Sequence, residues 1–141
     1  IGILCGSAIF TSDLARYLKR PLHLEFVRFS SYGNNQCSSG KINVMDLNLP
    51  DLNNKNVLIV EDIIDTGLTI KYFIDYIKEK YQVKKVKVAT LLNKTCSRAY
   101  CANVDFAGFE VGDHFVVGYG LDYKGFYRNL PYIGYFPKPE S

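Results

Sequence analysis

The chain has 141 residues, the size of one domain, and 48% of them are hydrophobic, enough for a sizeable buried core. A net charge of +3 is too mild for a nucleic-acid footprint, and no apolar run approaches the roughly 18–20 residues of a membrane span. Four cysteines without Cys-x-x-Cys spacing and two widely separated histidines fit neither a zinc site nor a disulfide scaffold, so reduced thiols in a cytoplasmic protein are expected.

In chain order, "IGIL" is expected to be a short buried strand and "CGSAIF" the turn after it. The opening in mid-strand, with neither start methionine nor charged leader, leads us to expect an N-terminal segment upstream of residue 1. A helix should run from about Phe10 to Leu18, stopped by Pro21. "LHLEFVRFSSY" alternates as a strand, with Leu22, Leu24 and Phe26 on one face and His23, Glu25 and Val27 on the other. "GNNQCSSGK" is dense in Gly, Asn and Ser and is expected to be a mobile loop, with a further strand in "INVMDLNL". Val57 to Val60 is all apolar and should be a strand buried on both faces. Ile70, Phe73, Ile74, Ile77 and Tyr81 then form one stripe of a helix over 68–81. "VKVATLL", "FAGFEV" and "FVVGYG" are further strands. Strand, helix and short buried strand in alternation predict an α/β fold with a mostly parallel sheet flanked by helices, in one domain over residues 1–141. The lysines at 78, 80, 84, 85 and 87 fit a solvated face, and the C-terminal aromatics (Tyr119, Tyr123, Phe126, Tyr127, Tyr132, Tyr135, Phe136) fit packing better than base stacking.

"VLIVEDIIDTGLTI" carries the chemistry. Ligands of open parallel sheets sit beyond the carboxyl ends of the strands, where Glu61 to Thr69 is expected to lie. A helix start offers free N–H groups, Thr66 and Thr69 add hydroxyls, and Gly67 allows close backbone approach; together these suit a phosphate monoester. Neither a Walker loop nor a G-x-G-x-x-G fingerprint is present. Three carboxylates beside a phosphate need other partners. Glu61 and Asp62 suit vicinal sugar hydroxyls or a divalent metal, and Asp65 either a general base or a helix cap.

The same stretch closely resembles the phosphoribosyl pyrophosphate (PRPP) motif of the type I phosphoribosyltransferases, in the form used by the purine branch, the hypoxanthine-guanine phosphoribosyltransferases. "LEFVRFSSYG", "VKVATLLNK", "VDFAGFEV" and "FVVGYGLDY…YRNLP" resemble further blocks of that family in order, across nearly the whole chain. The resemblance implies a type I phosphoribosyltransferase-like fold, with a small cap or hood only partly present here. It implies transfer of the phosphoribosyl group from PRPP to N9 of a 6-oxopurine in purine salvage, with Mg2+ as cofactor and a homodimer or homotetramer as the assembly. PRPP, the purine base, the purine nucleoside monophosphate and pyrophosphate are the implied ligands.

By that resemblance Glu61 and Asp62 bind the ribose hydroxyls, and Asp65 takes or holds the N7 proton. Thr66, Gly67, Leu68 and Thr69 form the 5′-phosphate loop, and Lys94 reads O6. Phe115 stacks on the purine, while Val116 offers its carbonyl to the 2-amino group of guanine. Asp122 is the metal-side acid, with Glu61 and Asp62 reaching the ion partly through water and substrate. Arg128 binds pyrophosphate together with the amides of Gly6 and Ser7, and Ser31 and Tyr32 belong to a closing lid. The chain departs from the family at Cys5, where the pyrophosphate loop usually has lysine; Cys5 is not expected to be a nucleophile, nor His114 to act in catalysis. The alternative reading is a PRPP- or nucleotide-sensing regulator on the same fold, which the residues at Lys94, Phe115, Asp122 and Arg128 argue against.

Overall fold

The chain begins a parallel sheet at once and returns to it four times. The structure, a computed structural model, describes residues 1–29, 47–94 and 103–136. Among these, β1 (Gly2–Leu4), β2 (Phe26–Arg28), β3 (Asn56–Ile64), β4 (Lys85–Lys94) and β5 (Phe106–Val111) form one five-stranded sheet in the order β2-β1-β3-β4-β5. Every neighbouring pair is parallel, as expected for strands joined by helical crossovers. Helix α1 (Ala8–Tyr17) follows β1 and α2 (Leu68–Lys80) joins β3 to β4.

The apolar stripe of α2 packs as its spacing predicts. Ile70, Phe73 and Ile77 are buried, and Ile74 and Tyr81 lie partly buried against the same core. Phe73 meets Phe29 edge-on at 5.1 Å between centroids; truncating so fully buried a phenylalanine costs about 3–5 kcal/mol. A second, smaller core joins Leu91 and Leu92 of β4 to Leu121, with Phe10, Val116 and Tyr119 packed on it. The C-terminal part adds a two-stranded antiparallel sheet, β6 (Phe115–Val117) with β7 (Gly134–Phe136).

Several expectations change, among them the strand expected over "FVVGYG", which ends at Val117. β3 does not stop at Val60 but runs on through Glu61 and Asp62 to Ile64, because its ladder with β4 continues through Glu61↔Thr90 to Ile64↔Asn93. In β2 it is Val27 that is buried, while Leu22, Leu24 and Phe26 are exposed; the pairing Ile3↔Val27 on a three-residue edge strand turns that residue inward. β7 was not anticipated. Of the strand expected over 42–49, residues 42–46 lie outside the described residues and 47–49 are not strand.

Candidate active site

The candidate site gathers at the carboxyl ends of β1, β3 and β4. At β1 the chain turns through a cis Leu4–Cys5 peptide into Gly6 and Ser7. Ser7 is fully buried; its amide donates to the Ile3 carbonyl at 3.3 Å and its hydroxyl to the same carbonyl at 2.6 Å. Of the two amides expected to meet pyrophosphate, Gly6 N–H is therefore the one without an acceptor among the described residues. Arg28 on β2 reaches across the loop and donates to Cys5 Sγ at 3.1 Å.

Gly6 is a contact point for two other segments. A Cβ built on Gly6 would lie 1.6 Å from Asp62 Oδ2, so only glycine lets the Asp62 carboxylate rest against the loop. A Cβ on Gly120 would lie 2.0 Å from the Gly6 carbonyl oxygen, and Gly120 has φ +105°, a conformation that side chains resist. Arg128 then donates to the Gly120 carbonyl at 2.5 Å and pairs with Asp122 at 2.7 Å, while Asp122 also accepts from Gly125 N–H at 2.7 Å. Asp62, Gly6, Gly120, Arg128 and Asp122 thus form one chain of contacts across three segments of sequence.

Glu61 sits behind Asp62 and is buried. Burial, followed by the hydrogen bond and charge of the adjacent Asp62 side chain, pushes its carboxyl well above the usual range. Asp62 accepts a 2.8 Å bond from Ile63 N–H.

Asp65 and Lys94 meet because of strand register. Ile64 and Asn93 are partners across β3 and β4; Asp65 follows Ile64 just past the end of β3, and Lys94 follows Asn93 as the last residue of β4. Their side chains approach to 3.6 Å, with Lys94 only 13% exposed and Asp65 48% exposed. Asp65 Oδ1 is buried without a hydrogen-bond partner among the described residues. The cap reading of Asp65 is not what the structure has: Gly67, at φ 80°, is the N-cap of α2 and no side chain caps it. Thr66 Oγ1 accepts from Leu68 N–H at 3.4 Å, a long contact. The first-turn amides of α2, Thr69 among them, have no partner within the helix.

Phe115 on β6 is 52% exposed and braced edge-on by Tyr123 at 5.5 Å, with Phe136 at 6.2 Å. Val116 beside it is partly buried on the second core. The C-terminal aromatics do pack on one another, yet Phe126, Tyr132 and Tyr135 remain largely exposed. Ser31 and Tyr32 lie outside the described residues. Gly120 and Arg28 were missed in the sequence; a Gly-Tyr-Gly turn was the available signal for the first, and nothing local marks the second.

The profile of the phosphoribosyl transferase domain matches residues 1–124. The chain belongs to the phosphoribosyltransferase family. Within it, the chain falls in the hypoxanthine-guanine branch. It is 44% identical over 134 residues to the hypoxanthine-guanine phosphoribosyltransferase of Bacillus subtilis, covering 95% of this chain and 74% of that protein. It is 46% identical over 141 residues to the bifunctional protein TilS/HprT of Listeria innocua, covering 99% of this chain and 21% of that protein. The crystal structure of a hypoxanthine phosphoribosyltransferase from Staphylococcus aureus superposes with a TM-score of 0.88 at 41% identity, over 96% of this chain and 73% of that one. For a phosphoribosyltransferase, the Asp65–Lys94 pair stands just before the N-terminus of α2, where a phosphate would find free amides. Among the described residues no helix is long and apolar enough to cross a membrane.

Proposed function

We propose that this phosphoribosyltransferase moves the 5-phosphoribosyl group of PRPP to N9 of hypoxanthine or guanine, releasing pyrophosphate and the purine nucleoside 5′-monophosphate. The observation that carries the reading is the Asp65–Lys94 pair, brought by parallel register beside the open N-terminus of α2. The residues divide the work. The amides of the first turn of α2, with Thr66 and Thr69, hold the 5′-phosphate. Asp62, with Glu61 behind it, accepts the ribose hydroxyls. Gly6 N–H and Arg128 take the pyrophosphate, Arg128 through its fork of donors. As the C1′–O bond to pyrophosphate breaks, the N9 lone pair forms the new bond to C1′. Asp65, whose side chain is 48% exposed, receives the N7 proton on its carboxylate, and Lys94 holds the charge that gathers on O6. Phe115 offers a half-exposed ring for the base to stack on, and Val116 a backbone carbonyl for the 2-amino group of guanine.

Magnesium fits this site only as a shared ion. Among the described residues no three metal-binding side chains converge, but magnesium is commonly held by one or two carboxylates and by substrate phosphates. Asp62 with Glu61, or Asp122, would supply that share, and the ion would neutralise charge on the pyrophosphate.

The test is a spectrophotometric assay of the full-length protein with PRPP, magnesium and, in turn, hypoxanthine, guanine, xanthine and adenine. Turnover of a 6-oxopurine and not of adenine is expected. No turnover with any purine would overturn the reading.

A further inference from the structure

The turn Gly118-Tyr119-Gly120 has all three residues at positive φ, at +93°, +52° and +105°. It is held from one side by the backbone: Tyr119 N–H donates to the Leu130 carbonyl and Gly120 N–H to the Arg128 carbonyl, both at 2.9 Å. From the other side it is held by one side chain. The Tyr119 hydroxyl donates to Asp13 Oδ2 on α1, across 106 residues of sequence. Asp13 also pairs with Arg16 one turn along the same helix. The hydrogen bond from the phenol, then the Arg16 guanidinium, holds the Asp13 carboxyl below the usual range. The phenol is pushed up to about 12, chiefly by its bond to Asp13, so it remains a donor throughout the neutral range.

Helix α1 grows directly out of the Gly6-Ser7 loop, and Gly120 lies flush on the Gly6 carbonyl. The geometry points to Tyr119 and Asp13 as a latch: a pair of positioning residues that clamps the Gly118–Gly120 turn to α1 and so fixes Gly6 and Arg128 against each other for pyrophosphate. This inference rests on the reading of Gly6 as a pyrophosphate donor. The arrangement has a mechanical logic. Tyr119, the one non-glycine residue of the turn, is held in left-handed backbone that costs it energy and that it can leave when released, and the turn carries the carbonyl that holds Arg128. The Tyr119 ring is packed on Leu91, Leu92 and Leu121 independently of its hydroxyl, so phenylalanine would keep the packing and remove the latch alone.

The experiment compares wild type, Tyr119→Phe, Asp13→Ala, Asp13→Asn and the double variant Tyr119→Phe/Asp13→Ala in the full-length enzyme. Steady-state kinetics with PRPP forward and pyrophosphate in reverse give KM and kcat, and thermal melts report the fold. Tyr119→Phe and Asp13→Ala should each raise KM for PRPP and pyrophosphate roughly 3- to 10-fold, with KM for the base and the melting temperature little changed. Asp13→Asn keeps an acceptor for the phenol and should stay close to wild type. The double variant should be no worse than either single, because both remove the same bond. Unchanged KM in Tyr119→Phe, additive losses in the double variant, or KM losses for the base as large as for PRPP would overturn the latch while leaving the active-site reading intact. A wild type that turns over no purine would overturn both.

Discussion

Gly6→Ala separates the chemistry of the site from its stability. The added methyl carbon would lie 1.6 Å from Asp62 Oδ2 and 2.5 Å from its carboxyl carbon, where ordinary contact begins near 3.4 Å. The Asp62 carboxylate must retreat by about 1.8 Å. It is the end of a side chain, so it can swing aside, at the cost of its 2.8 Å bond to Ile63 N–H. Fold stability should fall by only about 1–2 kcal/mol, the range of one lost partly exposed hydrogen bond. Under the proposed function, the retreat would take the carboxylate away from the ribose hydroxyls. A lost hydrogen bond to a charged group is worth about 1.5–3 kcal/mol, or roughly a 10- to 150-fold fall in kcat/KM for PRPP. KM for the purine base should move far less. Gly120→Ala is the contrast: its methyl would meet a backbone carbonyl at 2.0 Å with φ at +105°, so nothing can swing aside and the melt itself should suffer. The assay is kcat/KM for PRPP beside thermal unfolding for the two variants. A Gly6→Ala enzyme with kcat/KM for PRPP within about twofold of wild type would refute the reasoning that Asp62 is a ligand held in place by the bare glycine.

Asp65→Asn should lower kcat by about 10²–10⁴-fold with a smaller effect on PRPP binding; a near-normal kcat in single-turnover measurements would remove Asp65 from the proton transfer. Lys94→Ala should erode the preference for hypoxanthine over adenine, checked as the ratio of kcat/KM for the two bases. Glu61 keeps its proton in the folded state at pH values where the unfolded chain has lost it, so the unfolded state binds fewer protons there and stability falls as pH rises above the unfolded value of about 4.3. Glu61→Gln should flatten that fall in metal-free, ligand-free melts between acid and neutral pH, while weakening PRPP binding; an unchanged slope would count against the burial argument. Cys5→Ser should keep most of the activity, since the thiol's hydrogen-bond partner among the described residues is Arg28 and serine can accept the same bond, and Cys5→Lys should lower KM for PRPP by no more than about fivefold, the scale of an exposed charge contact.

The parts of the fold that carry long period were legible in the sequence. The α2 stripe and the apolar runs of β3 and β4 specify their elements because burial and periodicity agree there. The end of β3 was misplaced because the change from Val60 to Glu61 looks like the edge of the core. A ladder is made of backbone, however, and it continues as long as β4 supplies partners, even with a carboxyl group buried on it. β7 is three residues long, too short for any pattern, and exists because β6 offers it an edge. The residues of the candidate site were legible as a motif, but their contacts were not. Gly6 against Asp62, Gly120 against Gly6, and Tyr119 on Asp13 each join residues whose nearness depends on the finished sheet, and no local spacing encodes it.

The pairing of Asp65 with Lys94 bears most directly on base choice. Asp65 and Lys94 follow paired residues on adjacent parallel strands, so their separation is set by the sheet rather than by a loop. At 3.6 Å the two side chains are too far apart for a direct hydrogen bond and near enough to serve neighbouring atoms of one ligand. On a 6-oxopurine, N7 and O6 share one edge. With N7 protonated, that edge presents a donor to the carboxylate and an acceptor to the ammonium group. Adenine presents an amino group where O6 would be, and a donor facing a lysine buried to 13% exposure leaves both unsatisfied. Exchanging the lysine for a neutral acceptor would remove the penalty against adenine, but it would also remove the charge that O6 needs as the base attacks. Under the proposed function, specificity and rate would both depend on the same ammonium group, which sits at the end of β4 with its side chain only 13% exposed.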